Sequence, residues 1–305
     1  MGGDVDLSVD IAPGRAGTLA LRNPVMVAGP VGYGRELARQ ADLSGLGALV
    51  TRVTTLQRRA GSSPPRLAGT PAGALMGQAP NPGLRAVLRE HAAAWAAWPL
   101  PVILAVAGQS AGEYARIGAQ VEGEPGVAGL ELDLSAPPEP GRPAAGWDPA
   151  EAWQLVHAMR EACSLPLLAR LPWSGPLLVE VARAAILAGA DALTLIAPLP
   201  GLLVDTRRRK VALAGDLAGP ALLPLVLACL HEVHQALPEA TLVAAGGIRT
   251  GEDAAACLLA GATAVQVDAA LLGDPRAPLT VMAGLEAYCR EMGITEIKAM
   301  VGTAR

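Results

Sequence analysis

The stretch around Gly246-Gly247 has the residue types of an anion-binding turn. The short apolar run 242–245 ends at the glycine pair, and Thr250 or Gly251 then opens an amphipathic helix. Glycines at such a turn let the backbone approach a ligand closely, and the N–H groups and dipole at a helix N-terminus stabilise a phosphate. A Gly-Gly pair between strand and helix can also be a plain tight turn. The turn therefore predicts a phosphate site without identifying the ligand.

Reactive side chains also alternate along the run 129–135. Glu131, Asp133 and Ser135 share one face of a strand, because successive side chains of a strand point to opposite sides, and leucines occupy the other face. The leucines suit packing against outer helices, so the polar face is expected to point inward. A buried carboxylate needs a partner to stay ionised. A serine works as a base or nucleophile only when another group activates it.

Eight short apolar runs and eight helical patterns would position these residues. The predicted strands are 24–28, 48–54, 102–107, 129–135, 167–171, 192–196, 242–245 and 264–267. The predicted helices are 35–43, 82–97, 112–121, 148–163, 176–188, 219–237, 251–259 and 278–292. Strands this apolar are typical of a parallel sheet covered by helices on both faces. Eight βα steps predict a (β/α)₈ TIM barrel, forming a single domain over residues 1–305. The glycine turn follows the seventh strand, where such barrels commonly bind phosphate.

Composition excludes several other classes of protein. The chain has 305 residues, of which 51% are hydrophobic and 17% charged, and its net charge is −4. The basic cluster 207–210 is too short to indicate nucleic-acid binding. No apolar run is long enough to span a bilayer, and the N-terminal residues lack the features of a signal peptide. The four cysteines lack Cys-x-x-Cys spacing, so we expect the buried thiols of a cytoplasmic protein, without disulfides or a metal site.

Three connections are longer than a plain barrel needs. The segments 54–81, 137–147 and 199–218 follow the second, fourth and sixth predicted strands. All three leave the carboxyl ends of strands, where the active sites of barrels lie. Because long loops in compact domains tend to be functional, we expect these segments to border or cover a site.

Several of these segments, taken in order, resemble those of one enzyme family. They read Asn23-Pro-Val-Met-Val-Ala-Gly-Pro-Val-Gly-Tyr-Gly, Val53-Thr-Thr-Leu-Gln-Arg-Arg-Ala-Gly-Ser-Ser-Pro-Pro-Arg-Leu-Ala, Asn81-Pro-Gly, Glu131-Leu-Asp-Leu-Ser-Ala-Pro, Gly219-Pro-Ala and Ala244-Ala-Gly-Gly-Ile. The chain is similar in these motifs to the dihydroorotate dehydrogenases. It looks most like the soluble class 1 enzymes that work with an iron–sulfur flavoprotein subunit.

The resemblance implies a cofactor, a substrate and site residues. Members of the family bind FMN over the barrel mouth and oxidise dihydroorotate to orotate, while a loop base removes a proton. The implied FMN-binding residues are Gly29, Thr54, Gly219, Gly246 and Gly247. The implied substrate-binding residues are Asn81 and Asp133. An iron–sulfur flavoprotein subunit and a homodimer are both compatible partners.

Departures from the family pattern cluster at the catalytic positions. The base position is Ala136, which cannot accept a proton, and Ser135 lies beside it. The two lysines expected in the second and fifth strands are Arg52 and Arg170, so the catalytic candidates are Ser135, Arg52 and Arg170. Asparagines expected to contact ligands are replaced by Ala105, Pro138 and Ala197. The Gly-Thr after the eighth strand is Asp268-Ala269, which puts a negative charge near the predicted phosphate site.

Asp133 is the carboxylate expected to pair with an arginine. The family comparison brings Arg52 and Arg170 to the same mouth, and buried charges usually pair. Asp133 with Arg52 or Arg170 could fill the upper barrel as a salt bridge. Alternatively, the two arginines could hold an anionic ligand, which suits guanidinium geometry.

Three hypotheses for function follow. The first is an FMN-dependent oxidoreductase of the dihydroorotate dehydrogenase type, for which we expect negligible oxidation of dihydroorotate because Ala136 replaces the base. The second is a catalytically degenerate barrel that serves as a binding or regulatory subunit. The third is an enzyme of another reaction class that uses Arg52, Asp133 and Arg170 on an anionic substrate.

Overall fold

The computed structural model describes residues 5–13, 19–29, 31–135 and 144–304. Its strands are β1 (Val9–Asp10), β2 (Ala20–Leu21), β3 (Val25–Val27), β4 (Ala48–Val50), β5 (Thr54–Thr55), β6 (Leu67–Thr70), β7 (Gly73–Met76), β8 (Val102–Ala107), β9 (Gly129–Asp133), β10 (Leu167–Leu171), β11 (Ala192–Leu195), β12 (Leu199–Asp205), β13 (Lys210–Ala218), β14 (Thr241–Ala245) and β15 (Ala264–Val267). Its α-helices are α1 (Arg35–Ala38), α2 (Leu84–Trp95), α3 (Ala111–Val121), α4 (Pro149–Ala162), α5 (Leu178–Leu187), α6 (Leu223–Ala236), α7 (Gly251–Leu259) and α8 (Ala277–Glu291). Short 3₁₀-helices include Pro220–Leu222 and Ala269–Leu272.

The parallel strands of the described residues close into an eight-membered barrel. Around the barrel they run β3, β4, β8, β9, β10, β11, β14 and β15, with β5 continuing the path of β4 beside β8. Closure comes from β15, where Val265 lies opposite Val25 of β3. Helices separate successive barrel strands along the chain. The predicted (β/α)₈ fold is confirmed.

Local sequence explains where the helices begin. Asp148 caps α4 by accepting a hydrogen bond from the Ala150 N–H at 2.7 Å, and Pro149 occupies the first helical position. Both residue types are favoured there, because the cap satisfies a free N–H and proline has none to lose. The helix predicted over 35–43 is wrong in extent. α1 ends at Ala38, and Asp42 then caps a separate 3₁₀ turn through the Ser44 N–H.

A four-stranded antiparallel sheet covers one side of the barrel mouth, meaning the carboxyl end of the barrel strands. Its order is β12, β13, β7 and β6, and we call it the covering sheet. The connections 54–81 and 199–218, which we expected to be loops, therefore contain its strands. Asp216 of β13 lies opposite Met76 of β7 and Pro200 of β12. Sheet formation satisfies the backbone polar groups of these long connections.

Two expectations from composition can be compared with the described residues. No helix among them is both long and apolar enough to cross a membrane. Their cysteines are buried free thiols, as predicted. Burial raises the pKa of Cys257 to about 12 and that of Cys229 to about 11. These thiols are therefore protonated at neutral pH and act as packing groups.

Candidate active site

A cavity of about 450 Å³ lies at the barrel mouth, beside the covering sheet. Its lining includes Gly73, Gly219, Gly247, Arg249, Asp268 and Thr280. These residues come from β7, from the segments after β13, β14 and β15, and from α8. The cavity thus brings together the predicted glycine turn and the end of a long connection. Active sites of such barrels lie at this end.

The Gly246-Gly247 turn requires glycine for conformational and steric reasons. Gly246 has φ +111° and Gly247 has φ +82°, a region that favours glycine. A Cβ on Gly247 would lie 2.5 Å from the Leu223 nitrogen. The N–H groups of these glycines donate to no protein group in the described part of the chain. The turn therefore leaves backbone donors for an anion.

Helix α7 begins immediately after this turn. Thr250 and Asp253 form a capping box, in which the Thr250 hydroxyl accepts from the Asp253 N–H at 3.1 Å and Asp253 accepts from the Thr250 N–H at 2.9 Å. The Arg249 N–H also donates to Asp253. The cap fixes the helix start, whose dipole is favourable for an anion in the cavity. Together the glycines, the helix start and the cavity fit a phosphate group.

Asp268 is the residue of this site that disfavours a bound phosphate. Its side chain is buried, lines the cavity, and accepts a hydrogen bond from the Ala269 N–H. Gly29 lies against it, since a Cβ on Gly29 would be 2.9 Å from the Asp268 Cβ. The carboxylate thus uses a donor that could serve a phosphate, and its charge repels one. The site is shaped for an anion but carries a negative charge in its wall.

Glu131 is the centre of a buried polar cluster inside the barrel. Its Oε1 lies 3.4 Å from Arg170 Nη1, while its Oε2 accepts from Thr194 Oγ1 at 2.7 Å and Gln266 Nε2 at 2.5 Å. These residues project inward from β9, β10, β11 and β15. The Glu131 and Arg170 side chains are 1% and 11% exposed. Glu131 therefore joins four barrel strands through one carboxylate.

The predicted partner of Arg170 was wrong. Arg170 pairs with Glu131, although Asp133 is its neighbour in the strand register. Burial alone would lower the pKa of Arg170, but the carboxylates of Glu131, Asp133 and Asp268 outweigh burial and raise it. Arg170 thus has a counterion already. The inward direction predicted for the polar face of β9 is consistent with the burial of Glu131.

Asp133 forms a local pair with Ser135. Asp133 Oδ1 accepts from the Ser135 N–H at 2.9 Å and from Ser135 Oγ at 2.5 Å. The Tyr114 hydroxyl donates to the Asp133 carbonyl at 2.9 Å. Asp133 and Ser135 are both half-buried at the mouth. Ala136 and Pro138, where the base and an asparagine were expected, lie outside the described residues.

Arg52 and Thr54 follow the second barrel strand and make local hydrogen bonds. Arg52 Nη1 donates to the Pro80 carbonyl at 3.2 Å. The buried Thr54 Oγ1 donates to the Arg52 carbonyl and shares a hydrogen bond with the Tyr33 hydroxyl, both at 3.2 Å. Arg52 does not join Arg170 on a common carboxylate within the described residues. The predicted fork, in which the two arginines hold an anionic ligand, stays a prediction.

Asn81 holds the end of the long connection after the second barrel strand. Its Oδ1 accepts from the Thr55 N–H at 3.4 Å, the Thr55 hydroxyl at 3.2 Å and the Gly83 N–H at 3.1 Å. The side chain is buried. The carbonyl of this amide therefore has a structural use, and only its NH₂ group remains for a ligand.

Sequence reasoning missed Asp216, which lies on β13 of the covering sheet. Burial within the recess of the mouth and the nearby Asp133 carboxylate raise the pKa of Asp216 to about 6, while Arg170 partly opposes them. Solvent nevertheless reaches the side chain, so the recess is open to water. The alternation of Leu213 and Leu217 with Ala214 and Asp216 was the signal that could have revealed it.

The structure is a (β/α)₈ barrel with a glycine turn shaped for an anion at its mouth, and comparisons with known proteins identify its family. The sequence profile of the family described as "Dihydroorotate dehydrogenase" matches residues 15–288. A protein of Desulforudis audaxviator named "Dihydroorotate dehydrogenase B (NAD(+)), catalytic subunit" is 42% identical over 292 residues, covering 94% of this chain and 95% of the relative. Proteins of the same name are 38% identical in Geotalea uraniireducens, covering 98% of both chains, and 37% identical in Anoxybacillus flavithermus, covering 93% of both. The chain belongs to the dihydroorotate dehydrogenase family, whose enzymes depend on FMN.

Proposed function

We propose that this chain is the catalytic subunit of a dihydroorotate dehydrogenase, which oxidises dihydroorotate to orotate with FMN in pyrimidine biosynthesis. The observation that carries the proposal is the glycine-lined cavity at the barrel mouth. Similarity to catalytic subunits over nearly the whole chain supports it. FMN supplies the two-electron acceptor that this reaction needs.

The cavity residues would hold the flavin phosphate. Gly246 and Gly247 offer backbone N–H groups. Gly219 lines the same cavity, and a Cβ there would clash with the backbone of Ala72 and Gly73. Gly29 keeps Asp268 against the cavity wall without a clash. Thr54 would act by fixing the Arg52 backbone, since its hydroxyl is buried and bonded.

The remaining candidates would act on the substrate. Dihydroorotate carries a carboxylate, which a guanidinium binds well. The Arg52 guanidinium donates one N–H to the Pro80 carbonyl, and its other N–H groups remain available for the substrate. Asn81 could offer its NH₂ group. Arg170 would support the floor of the mouth through Glu131, and Asp133 with Ser135 would border the substrate.

A second subunit would receive the electrons. The relatives' name "catalytic subunit" supports such a partner, and an iron–sulfur flavoprotein is the one implied by the sequence motifs. Assembly into a homodimer is compatible with it. Buried free thiols support a location in the reducing cytoplasm.

A catalytically degenerate binding barrel is the second candidate. Ala136 at the expected base position favours it, because removing an acid–base group typically slows a reaction by about 10²–10⁴-fold. The carboxylates around Arg170 also disfavour an anionic substrate. Such a barrel would bind flavin or orotate without turnover.

Flavin binding and flavin reduction separate the two candidates. We expect purified protein to bind FMN, and Asp268→Ala to tighten that binding by about tenfold, equivalent to about 1.4 kcal/mol, because a repelling charge is removed. Binding is measured by titrating apoprotein with FMN. Dihydroorotate added without oxygen should then bleach the flavin absorbance. A flavin that binds and stays oxidised would favour the binding barrel. A protein that binds no FMN would contradict the dehydrogenase and leave only a barrel that binds orotate.

A further inference from the structure

Asp216 faces the barrel mouth from the covering sheet. It lies two residues before Ala218 on β13, so both side chains project from the same face of the strand. Ala218 lines the cavity together with Ala74 and Gly219. Asp216 is exposed to solvent and close enough to Asp133 and Arg170 to sense their charges. Its carboxylate therefore belongs to the same mouth as the predicted catalytic residues.

The charged surroundings of Asp216 come mainly from the barrel. Asp133 ends β9 and Arg170 lies on β10, with Glu131 and Asp268 grouped around Arg170. Its neighbours in the covering sheet, Met76 and Pro200, carry no charge. Burial in the recess and Asp133 raise the pKa of Asp216 to about 6 against the opposing effect of Arg170. An acid–base group is most effective with a pKa near the working pH.

The other oxygen groups of the mouth are engaged. Glu131 accepts from Arg170, Thr194 and Gln266. The Ser135 hydroxyl donates to Asp133, and Asp268 accepts from the Ala269 N–H. By contrast, no group in the described part of the chain donates a hydrogen bond to the carboxylate of Asp216. It is the carboxylate of this group that is both open to water and free of a donor.

We propose that Asp216 accepts the proton released when dihydroorotate is oxidised, a role that rests on the proposed function. Forming the ring double bond removes hydrogen from two adjacent carbons. One would leave as a hydride with its electron pair, for which bound FMN would be the acceptor. The other leaves as a proton to the Asp216 carboxylate, and the electron pair of that C–H bond becomes the new double bond. Water at the exposed side chain then takes the proton from Asp216.

Proton uptake on orotate binding tests the placement of Asp216 without turnover. An anion bound beside Asp216 favours its protonated form, so flavin-loaded protein should take up protons when it binds orotate near pH 7. Calorimetry in two buffers of different ionisation enthalpy measures this uptake. Asp216→Asn should abolish it. Asp205→Asn is the matched control, because Asp205 lies on the same hairpin and caps its turn through the Arg207 and Arg208 N–H groups.

The pH dependence of thermal stability gives a second readout. The pKa of Asp216 rises from 3.8 to about 6 on folding, so the native state binds the proton more tightly and loses stability as pH rises through that window. Asp216→Asn should therefore have a higher Tm than wild type above about pH 6. The difference in Tm between Asp216→Asn and wild type should vanish below the ordinary pKa of aspartate. Asp205→Asn should show no such pH-dependent difference in Tm.

Flavin reduction by dihydroorotate then assigns the base. Above about pH 6, Asp216→Asn should slow reduction by about 10²–10⁴-fold while retaining FMN, and Ser135→Ala should have a smaller effect. Equal rates of flavin reduction in wild type and Asp216→Asn would overturn the assignment of Asp216 as the base but not the proposed function. A loss of rate confined to Ser135→Ala would have the same consequence. Wild-type flavin that dihydroorotate never reduces would overturn both the proposed function and this role.

Discussion

Glu131 is the residue on which the barrel interior most depends. Its carboxylate is almost fully buried and neutralises a buried guanidinium. Taking two charges out of water is costly, so such a pair stabilises little overall, but removing one partner leaves the other charge uncompensated. Strand alternation predicted that Glu131 and Asp133 point inward. It could not choose the partner of Arg170, because a long side chain reaches two residues along the neighbouring strand.

The pair can be tested by removing its acidic member. Glu131→Gln keeps the shape but leaves Arg170 without its counterion, so we expect the free energy of unfolding to fall by about 3–5 kcal/mol. Urea unfolding measures this value. Asp133→Asn is the matched control on the same strand and should cost much less, because Asp133 is half-buried and an asparagine oxygen can still accept from Ser135.

A double variant separates charge from packing. Glu131→Leu combined with Arg170→Met removes both charges and should destabilise less than Glu131→Gln alone. If Glu131→Gln proved as stable as wild type, the two side chains would not form a charged pair. If the double variant were the least stable, shape and hydrogen bonding would matter more than charge.

The covering sheet is the element that sequence patterns predicted least well. Its strands lie in connections rich in glycine, proline and arginine, and each needs a partner from a distant part of the chain. Barrel strands were placed within a few residues because their apolar runs are continuous. Sequence patterns could not identify Asp216 for the same reason, because the pairing of β13 with the distant β7 determines which face of β13 points to the mouth. The Gly246-Gly247 turn was predictable, because its conformation depends on local residues.

Gly73 is where the covering sheet meets the cavity. Its φ is +140°, and a Cβ would lie 2.2 Å from the Ala218 carbonyl and 2.7 Å from the Gly219 Cα. Gly73→Ala should therefore displace Gly219, weaken FMN binding by about tenfold or more, and lower Tm. Gly69→Ala on the adjacent strand is the control, since its Cβ meets nothing within 4 Å. Equal FMN affinities for the two variants would show that the sheet does not shape the phosphate site.

The whole molecule is held together by contacts between the two ends of the chain. Val265 pairs with Val25 to close the barrel. The Asp6 N–H donates to the Thr295 carbonyl at 2.8 Å, and the Ile297 N–H donates to the Asp6 carbonyl at 2.9 Å. No barrel strand can unfold without opening the closed sheet. The (β/α)₈ architecture was predictable from eight repeated βα steps, because each step is encoded locally.

Cooperative unfolding tests the prediction that residues 1–305 form a single domain. Because the closed barrel shares one core, we expect all parts to unfold together, so that different probes give the same midpoint. The tryptophans span positions 95–173, with Trp95 buried, and the buried cysteines span 163–289. Tryptophan emission and thiol reactivity thus report on different halves of the chain. Their urea midpoints should coincide, whereas thiols that react well before the tryptophan transition would divide the chain into two units.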